Sequence, residues 1–123
     1  MLFSKIAEHL QRGQHGERLA AGYLRKHGLA ILANNVRSRY GEIDLIAQDG
    51  DTVVFIEVRT RKAGNQVSAA ASITPTKQRK WHNSAADYLQ KQFGNNPPPC
   101  RFDAVCIEID GRKADIQWLK GVM

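Results

Sequence analysis

Carboxylates recur at close spacing in one stretch of this chain, Tyr40-Gly41-Glu42-Ile43-Asp44-Leu45-Ile46-Ala47, and again in Val53-Val54-Phe55-Ile56-Glu57-Val58-Arg59. The second run is apolar enough to be a strand buried on both faces. An ionised Glu57 inside it is costly unless a cation or several hydrogen bonds compensate the charge. Asp49-Gly50-Asp51 stands between the runs as a turn signal, so the pair reads as a β-hairpin. Parity then decides who faces whom. With Asp49 and Gly50 as the loop, Asp44 lies opposite Phe55; with Gly50 and Asp51, it lies opposite Glu57. In either two-residue register Glu42, Asp44, Glu57 and Arg59 share one face, and only an odd-length loop would part the two central carboxylates.

Two carboxylates brought that close repel, and one pKa rises unless a divalent cation holds both in the charged form. Carboxylate oxygens, waters and phosphate oxygens together are what Mg2+ or Mn2+ accepts. The chemistry suggested is metal-assisted hydrolysis of a phosphodiester, with a cationic side chain offsetting the developing charge. The plain alternative is a surface hairpin whose charges pair with each other, Glu42 with Arg59 for instance. Basic residues crowd the acids: Arg37 and Arg39 precede them, Arg59, Arg61 and Lys62 follow, and Lys77, Arg79 and Lys80 come later. The net charge is +6 and the pI is near 9.6. An acidic centre in basic surroundings suits a polyanion gripped by its phosphates. Arg37, Arg39, Arg61, Lys62, Lys77, Arg79 and Lys80 are therefore the candidate nucleic-acid contacts.

Taken in order, Asn35-Val36-Arg37, Gly41 to Ala47, Glu57-Val58-Arg59 and Thr74-Pro75-Thr76-Lys77-Gln78 closely resemble the small bacterial YraN-like family. That family is similar to the restriction-endonuclease-like superfamily, the PD-(D/E)xK nucleases, and to archaeal Holliday junction resolvases. The resemblance runs from about Gly16 to Asp103. It implies a nuclease core in which Asp44 and Glu57 hold the metal. Glu17 would be the matching acid of the first helix, able to join the metal, and Gln78 an accessory on the later helix. The implied substrate is DNA, with branched and single-stranded forms the ones to test; the implied cofactor is Mg2+ or Mn2+. A homodimer would suit the cutting of two strands.

One position departs from the superfamily's pattern. Its last motif residue is usually lysine, and here it is Arg59. Arginine can pair with a phosphate but cannot give up its proton to become a base. Lys77, entering from the next helix, is the amine that would stand in for the missing lysine. The alternative function is a nucleic-acid-binding protein that keeps the nuclease fold and cuts weakly or not at all. A third is a structural or partner-binding domain whose charges are merely solvated.

The elements that must position these residues follow from periodicity and punctuation. Residues from about Gln14 to His27 read as a helix with Gly28 as its stop, after an N-terminal extension over 1–13. Leu19, Ala20, Tyr23 and Leu24 form its apolar stripe, and Glu17 borders that stripe. Gly13, Gly16, Ala20, Ala21 and Gly22 would let it approach a sheet closely. Leu29 to Ala33 reads as a short strand ending at Asn34-Asn35, and the hairpin strands as Arg37 to Ala47 and Thr52 to Thr60. Residues 62–73 lack apolar periodicity and read as a mobile loop beside the site or a plain linker. Thr74-Pro75 opens a helix, with Thr74 as cap, whose inward stripe is Trp81, Ala85, Tyr88, Leu89 and Phe93. Gly94-Asn95-Asn96 and Pro97 to Pro99 end it. Two strands follow, Phe102 to Ile109 and Ala114 to Leu119, joined at Asp110-Gly111. The order α-β-β-β-α-β-β is mixed α/β, a restriction-endonuclease-like mixed sheet flanked by helices in one domain over 1–123.

Other chemistries find no support. His9, His15, His27 and His82 lack zinc-ligand spacing. Cys100 and Cys106 make no disulfide framework, and Cys106 reads as a reduced core thiol. No Walker loop or dinucleotide fingerprint occurs. Lys5, Glu8 and Arg12 interrupt the first residues, which argues against a secretory signal, and no run approaches membrane-spanning length. The expected location is cytoplasmic. Asp103 is expected to have a structural, hydrogen-bonding role.

Overall fold

A computed structural model describes residues 2–63 and 73–123, with side chains from Gln14 onward. The elements are α1 (Leu2–Lys26), β1 (Ala30–Ser38), β2 (Gly41–Asp49), β3 (Thr52–Lys62), α2 (Pro75–Phe93), β4 (Cys100–Asp110) and β5 (Lys113–Leu119). This is the α-β-β-β-α-β-β order expected from the sequence. The strands form one five-stranded sheet in the order β1-β2-β3-β4-β5. Tight turns make the first three strands and the last two antiparallel; the crossover through α2 makes β3 and β4 parallel.

The sheet is covered on both faces, which is why its middle strand reads as a continuous apolar run. Ala20, Ala21 and Leu24 of α1 pack with Leu45, Ala47, Val54, Ile56, Val105 and Ile107 on one face. Trp81 and Ala85 of α2 pack with Ile43, Ile46, Val53, Phe55 and Phe102 on the other. Val53, Val54, Phe55 and Ile56 are buried, as expected of a central strand. Along β3 the two rows alternate, so Glu57 and Arg59 continue the Val53-Phe55 row on the α2 side. Helix α2 begins as its sequence dictates: the Thr74 hydroxyl accepts from the Lys77 amide and Pro75 takes the first turn.

Four expectations need correction. Helix α1 starts at Leu2 rather than near Gln14, so 1–13 is not an extension apart from it: residues 2–13 are helical. Strand β1 passes through Asn34-Asn35 to Ser38, and the reversal falls at Arg39-Tyr40, inside the strand expected from Arg37 to Ala47. The cause is local: Gly41 has φ +140, and the Ser38 hydroxyl accepts from the Tyr40 amide at 3.1 Å, closing the turn. Phe93, expected to face inward, is exposed, because it ends the helix beyond the reach of the sheet. Of the expected loop over 62–73, Lys62 belongs to β3, and the Ala63 amide donates to the Ile109 carbonyl. Residues 64–72 lie outside the described residues. Among the described residues, no helix is long and apolar enough to cross a membrane.

Candidate active site

The hairpin takes the second of the two even registers. Asp49 pairs with Thr52 and Leu45 with Ile56, leaving Gly50-Asp51 as the loop and Asp44 next in line toward Glu57. The paired ladder stops at Leu45 and Ile56. There the strict alternation of β2 also fails: Leu45 packs beneath α1, while Ile43, two residues earlier, packs beneath α2. Across β1 the facing position is Asn35, which has φ +50 and drops out of a pairing that joins Asn34 to Leu45 and Val36 to Ile43. Both neighbours of β2 thus let go at Asp44. Its Oδ2 accepts from the Val58 amide of β3 at 2.8 Å, so the side chain takes the place of a ladder hydrogen bond.

Burial pushes the Asp44 carboxyl up to about 7. The Val58 amide opposes that rise by favouring the anion, and the charges of Glu17, Glu57 and Glu42 add to it. The acids expected to gather around Asp44 are therefore close enough to be felt there. Glu57 is tied to Arg59, whose NH2 group lies 2.6 Å from its Oε1. Arg59 Nε is buried and has no hydrogen-bond partner among the described residues. The pairing of Glu42 with Arg59 considered above does not form; Glu42 meets Arg37 at 3.6 Å on the surface.

A cavity of about 160 Å3 lies over this region on the α2 side. Glu42, Asp44 and Glu57 line one wall; Lys77 and Lys80, from the first turns of α2, line another; Trp81 and Ser84 complete it. Helix N-termini favour phosphate, and these two lysines reinforce that field. Among the described residues, no three of His, Cys, Asp and Glu close into a ready-made metal-ligand group. Asp44, Glu57 and Glu17 are thus not a closed cage. A hard cation that keeps several waters and binds through one or two carboxylates plus substrate oxygens does not need one. Asp44 and Glu57 fit that kind of open site by their donor chemistry, with Glu17 reaching Asp44 through its charge.

The other expected contacts scatter. Gln78 does not line the cavity; its Nε2 donates to the Ile73 carbonyl at 3.4 Å. Arg39 stacks on Tyr40 and donates to its hydroxyl at 2.6 Å. Arg79 is exposed on α2, and Lys62 lies at a separate hollow with Asp110 and Gly111. Arg61, with Arg59, draws the Cys106 thiol down, against burial, which pushes it up and prevails. Sequence reasoning missed Ser84, which is buried and hydrogen-bonds Ser38 at 3.3 Å, pinning α2 to the β1–β2 turn. Its signal was a polar residue three positions after Trp81 on an otherwise apolar stripe. Trp81, assigned to the core, is core and cavity wall together.

Comparison with known proteins places this arrangement in a wider group. The model of the uncharacterised protein family UPF0102 matches residues 16–107, a span from α1 to β4 that includes Glu17, Glu42, Asp44 and Glu57. The chain is 59% identical to a UPF0102 protein of Dichelobacter nodosus over 92% of its own length and 89% of the relative's. It is 46% identical to one from Herminiimonas arsenicoxydans, covering 90% and 85% of the two chains. A third, from Nitrosococcus oceani, is 43% identical over 94% of each. With matches of that extent, the chain belongs to the UPF0102 family.

Proposed function

We propose that this protein is a metal-dependent DNA endonuclease of the restriction-endonuclease-like kind, hydrolysing phosphodiester bonds in the cavity between β2, β3 and α2. The observation that carries the reading is one cavity with Glu42, Asp44 and Glu57 on one wall and Lys77 and Lys80 on another. Such a pairing suits a phosphodiester: acids for a cation, ammonium groups for non-bridging oxygens. Asp44 and Glu57 would hold Mg2+ or Mn2+, which supplies Lewis acidity and a water of lowered pKa when bound. The Val58 amide fixes the Asp44 carboxylate. Lys77 and Lys80 bind and orient the phosphate at the helix N-terminus. Arg59, held by Glu57, would offset charge on the phosphate but cannot take a proton from water. The Lys77 amine is the group in the cavity best suited to stand where the superfamily places its lysine.

A second reading is a nucleic-acid-binding protein of the same fold that does not cut. The Glu57–Arg59 ion pair favours it, because a carboxylate neutralised by a guanidinium is a poorer metal ligand. One experiment separates them: labelled branched, single-stranded and duplex DNA incubated with Mg2+ or Mn2+, wild type beside Asp44→Ala, Lys77→Ala and Arg59→Lys. The nuclease reading expects metal-dependent cutting of at least one substrate, reduced about 100-fold or more in Asp44→Ala and impaired in Lys77→Ala. DNA bound but uncut by wild type, with cutting gained in Arg59→Lys, would establish the binder. Neither binding nor cutting would sink both.

A further inference from the structure

On the opposite, α1 side of β2 lies a second hollow, of about 390 Å3, that the proposed chemistry does not use. Gln14, Glu17, Arg18, Ala21 and Arg25 of α1 line it, and their spacing of i, i+3, i+4, i+7 and i+11 places them on one helical stripe. Asn34 and Asn35 line it from β1. Two consecutive strand residues ordinarily point to opposite faces. Here φ +50 at Asn35 breaks the alternation, so both amides reach the same space. Ile31, Leu45 and Ala21 give it an apolar floor.

Its chemistry is that of a nucleotide. Arg18 and Arg25 are exposed, and neither is engaged by a carboxylate among the described residues. Guanidinium forks match phosphate oxygens. The amides of Gln14, Asn34 and Asn35 offer paired donors and acceptors of the sort that read base edges. The volume is in the range of small-ligand sites of about 300–1,000 Å3, room for one nucleotide and not for stacked base pairs. Base edges become available to such a hollow only when the base is unpaired.

The hollow also adjoins the candidate active site. Leu45 lines the hollow and the preceding residue, Asp44, lines the acidic cavity. Glu17 lines the hollow while its charge acts on Asp44. Both openings are lined by residues of β2 at the point where the β2–β3 ladder ends, on opposite faces of the sheet. The geometry points to the α1–β1 hollow as the seat of an unpaired nucleotide of a single-stranded segment, held by Arg18 and Arg25 through phosphates and by Gln14, Asn34 and Asn35 through the base. The substrate class is then DNA containing a single-stranded stretch rather than continuous duplex. This rests on the nucleic-acid reading above for its occupant, but not on cleavage.

The test is anisotropy of a labelled single-stranded oligonucleotide and of the matching duplex in EDTA, with the full chain. The double variant Arg18→Ala, Arg25→Ala removes two exposed cations; Arg112→Ala, Lys113→Ala, at the distant β4–β5 turn, removes the same charge as a control. The expected result is about tenfold weaker single-strand binding in the first and less than about twofold change in the second. The log–log salt slope should become shallower by about 1.4, at roughly 0.7 per phosphate contact on a single strand. Duplex affinity should change less than about twofold. Equal losses on both DNA forms, equal losses in the control, or no loss would overturn the proposal. Cleavage by wild type, measured separately, judges the nuclease reading: cutting retained while the Arg18, Arg25 variant binds normally would remove the hollow alone.

Discussion

Two demands conflict at Asp44. The proposed cation would need it ionised, yet burial and three neighbouring carboxylates hold its pKa near 7, against an ordinary 3.8. Because the folded pKa is raised, the folded chain keeps its proton through a window from about 4 to about 7 in which the unfolded chain has lost it. Stability attached to this group is fully present below about 4 and declines as pH rises through 7. At 1.36 kcal/mol per unit the loss approaches about 4 kcal/mol. Asp44→Asn removes the titration while its amide oxygen can still accept from Val58. Its melting temperature should therefore exceed that of the metal-free wild type at pH 8, with the gap closing toward pH 4. Adding millimolar Mn2+ at pH 8 should raise the wild type and leave the variant unmoved, since binding stabilises only the species that binds. A variant that melts below wild type at pH 8 in EDTA would show that the carboxylate is not a source of strain. Glu57 differs in kind, because its charge is already answered by Arg59 at 2.6 Å.

Elements bring these residues together through close approach. A β-carbon on Gly16 would overlap the Thr60 hydroxyl, so α1 can lie against the end of β3 only because residue 16 has no side chain. Glu17 is the next residue and inherits its nearness to Asp44 from that contact. Gly16→Ala gains helix propensity worth about 1 kcal/mol. Overpacking against β3 should outweigh that gain, with a net cost of about 1–2 kcal/mol in urea denaturation. Gly16→Ala, Thr60→Ala should recover part of the loss, and simple additivity of the two changes would refute the contact. This glycine was legible in the sequence as one of several small residues, but its partner was not. The same division holds elsewhere. The Asp49-Gly50-Asp51 turn, the Thr74 cap and the apolar row of β3 rest on neighbours in sequence and could be read directly. The failure of alternation at Asp44 and the Val58 amide that its carboxylate takes as partner depend on contacts made across strands. Ser38 with Ser84, 46 residues apart, is of that class. Parity reasoning put the acids on one face because it assumed regular strands; they converge instead where the strands cease to be regular.

For the molecule as a whole, the buried carboxylate that ties the fold together lies apart from the candidate site. Asp103 is fully buried, yet every part of its carboxylate is answered: Arg101 Nε donates to both oxygens at 3.1 Å, Trp118 Nε1 donates at 2.9 Å and the Gly121 amide at 2.9 Å. Arg101 also reaches Asp49 at 2.8 Å. Asp103 and Arg101 together therefore join the start of β4, the hairpin turn of β2–β3, β5 and the C-terminal segment, which supports the structural role expected for Asp103. The acids of the Asp44 cluster have fewer partners each: Asp44 takes one amide, from Val58, and Glu57 one guanidinium, from Arg59. Removing Asp103 should be far costlier than its distance from the cavity suggests. Asp103→Ala strands a guanidinium, an indole N–H and a backbone N–H, a loss of about 3–5 kcal/mol against the 5–15 kcal/mol typical of a domain. Asp49→Ala, at the more exposed arm of the network, should cost about 1 kcal/mol. Urea midpoints of the two variants check the contrast. If Asp103→Ala fell by no more than Asp49→Ala, the network would not be the clamp described. Should it prove the larger loss while Asp44→Asn stabilises, the buried acids would divide by whether the fold supplies their partners or leaves that to a ligand.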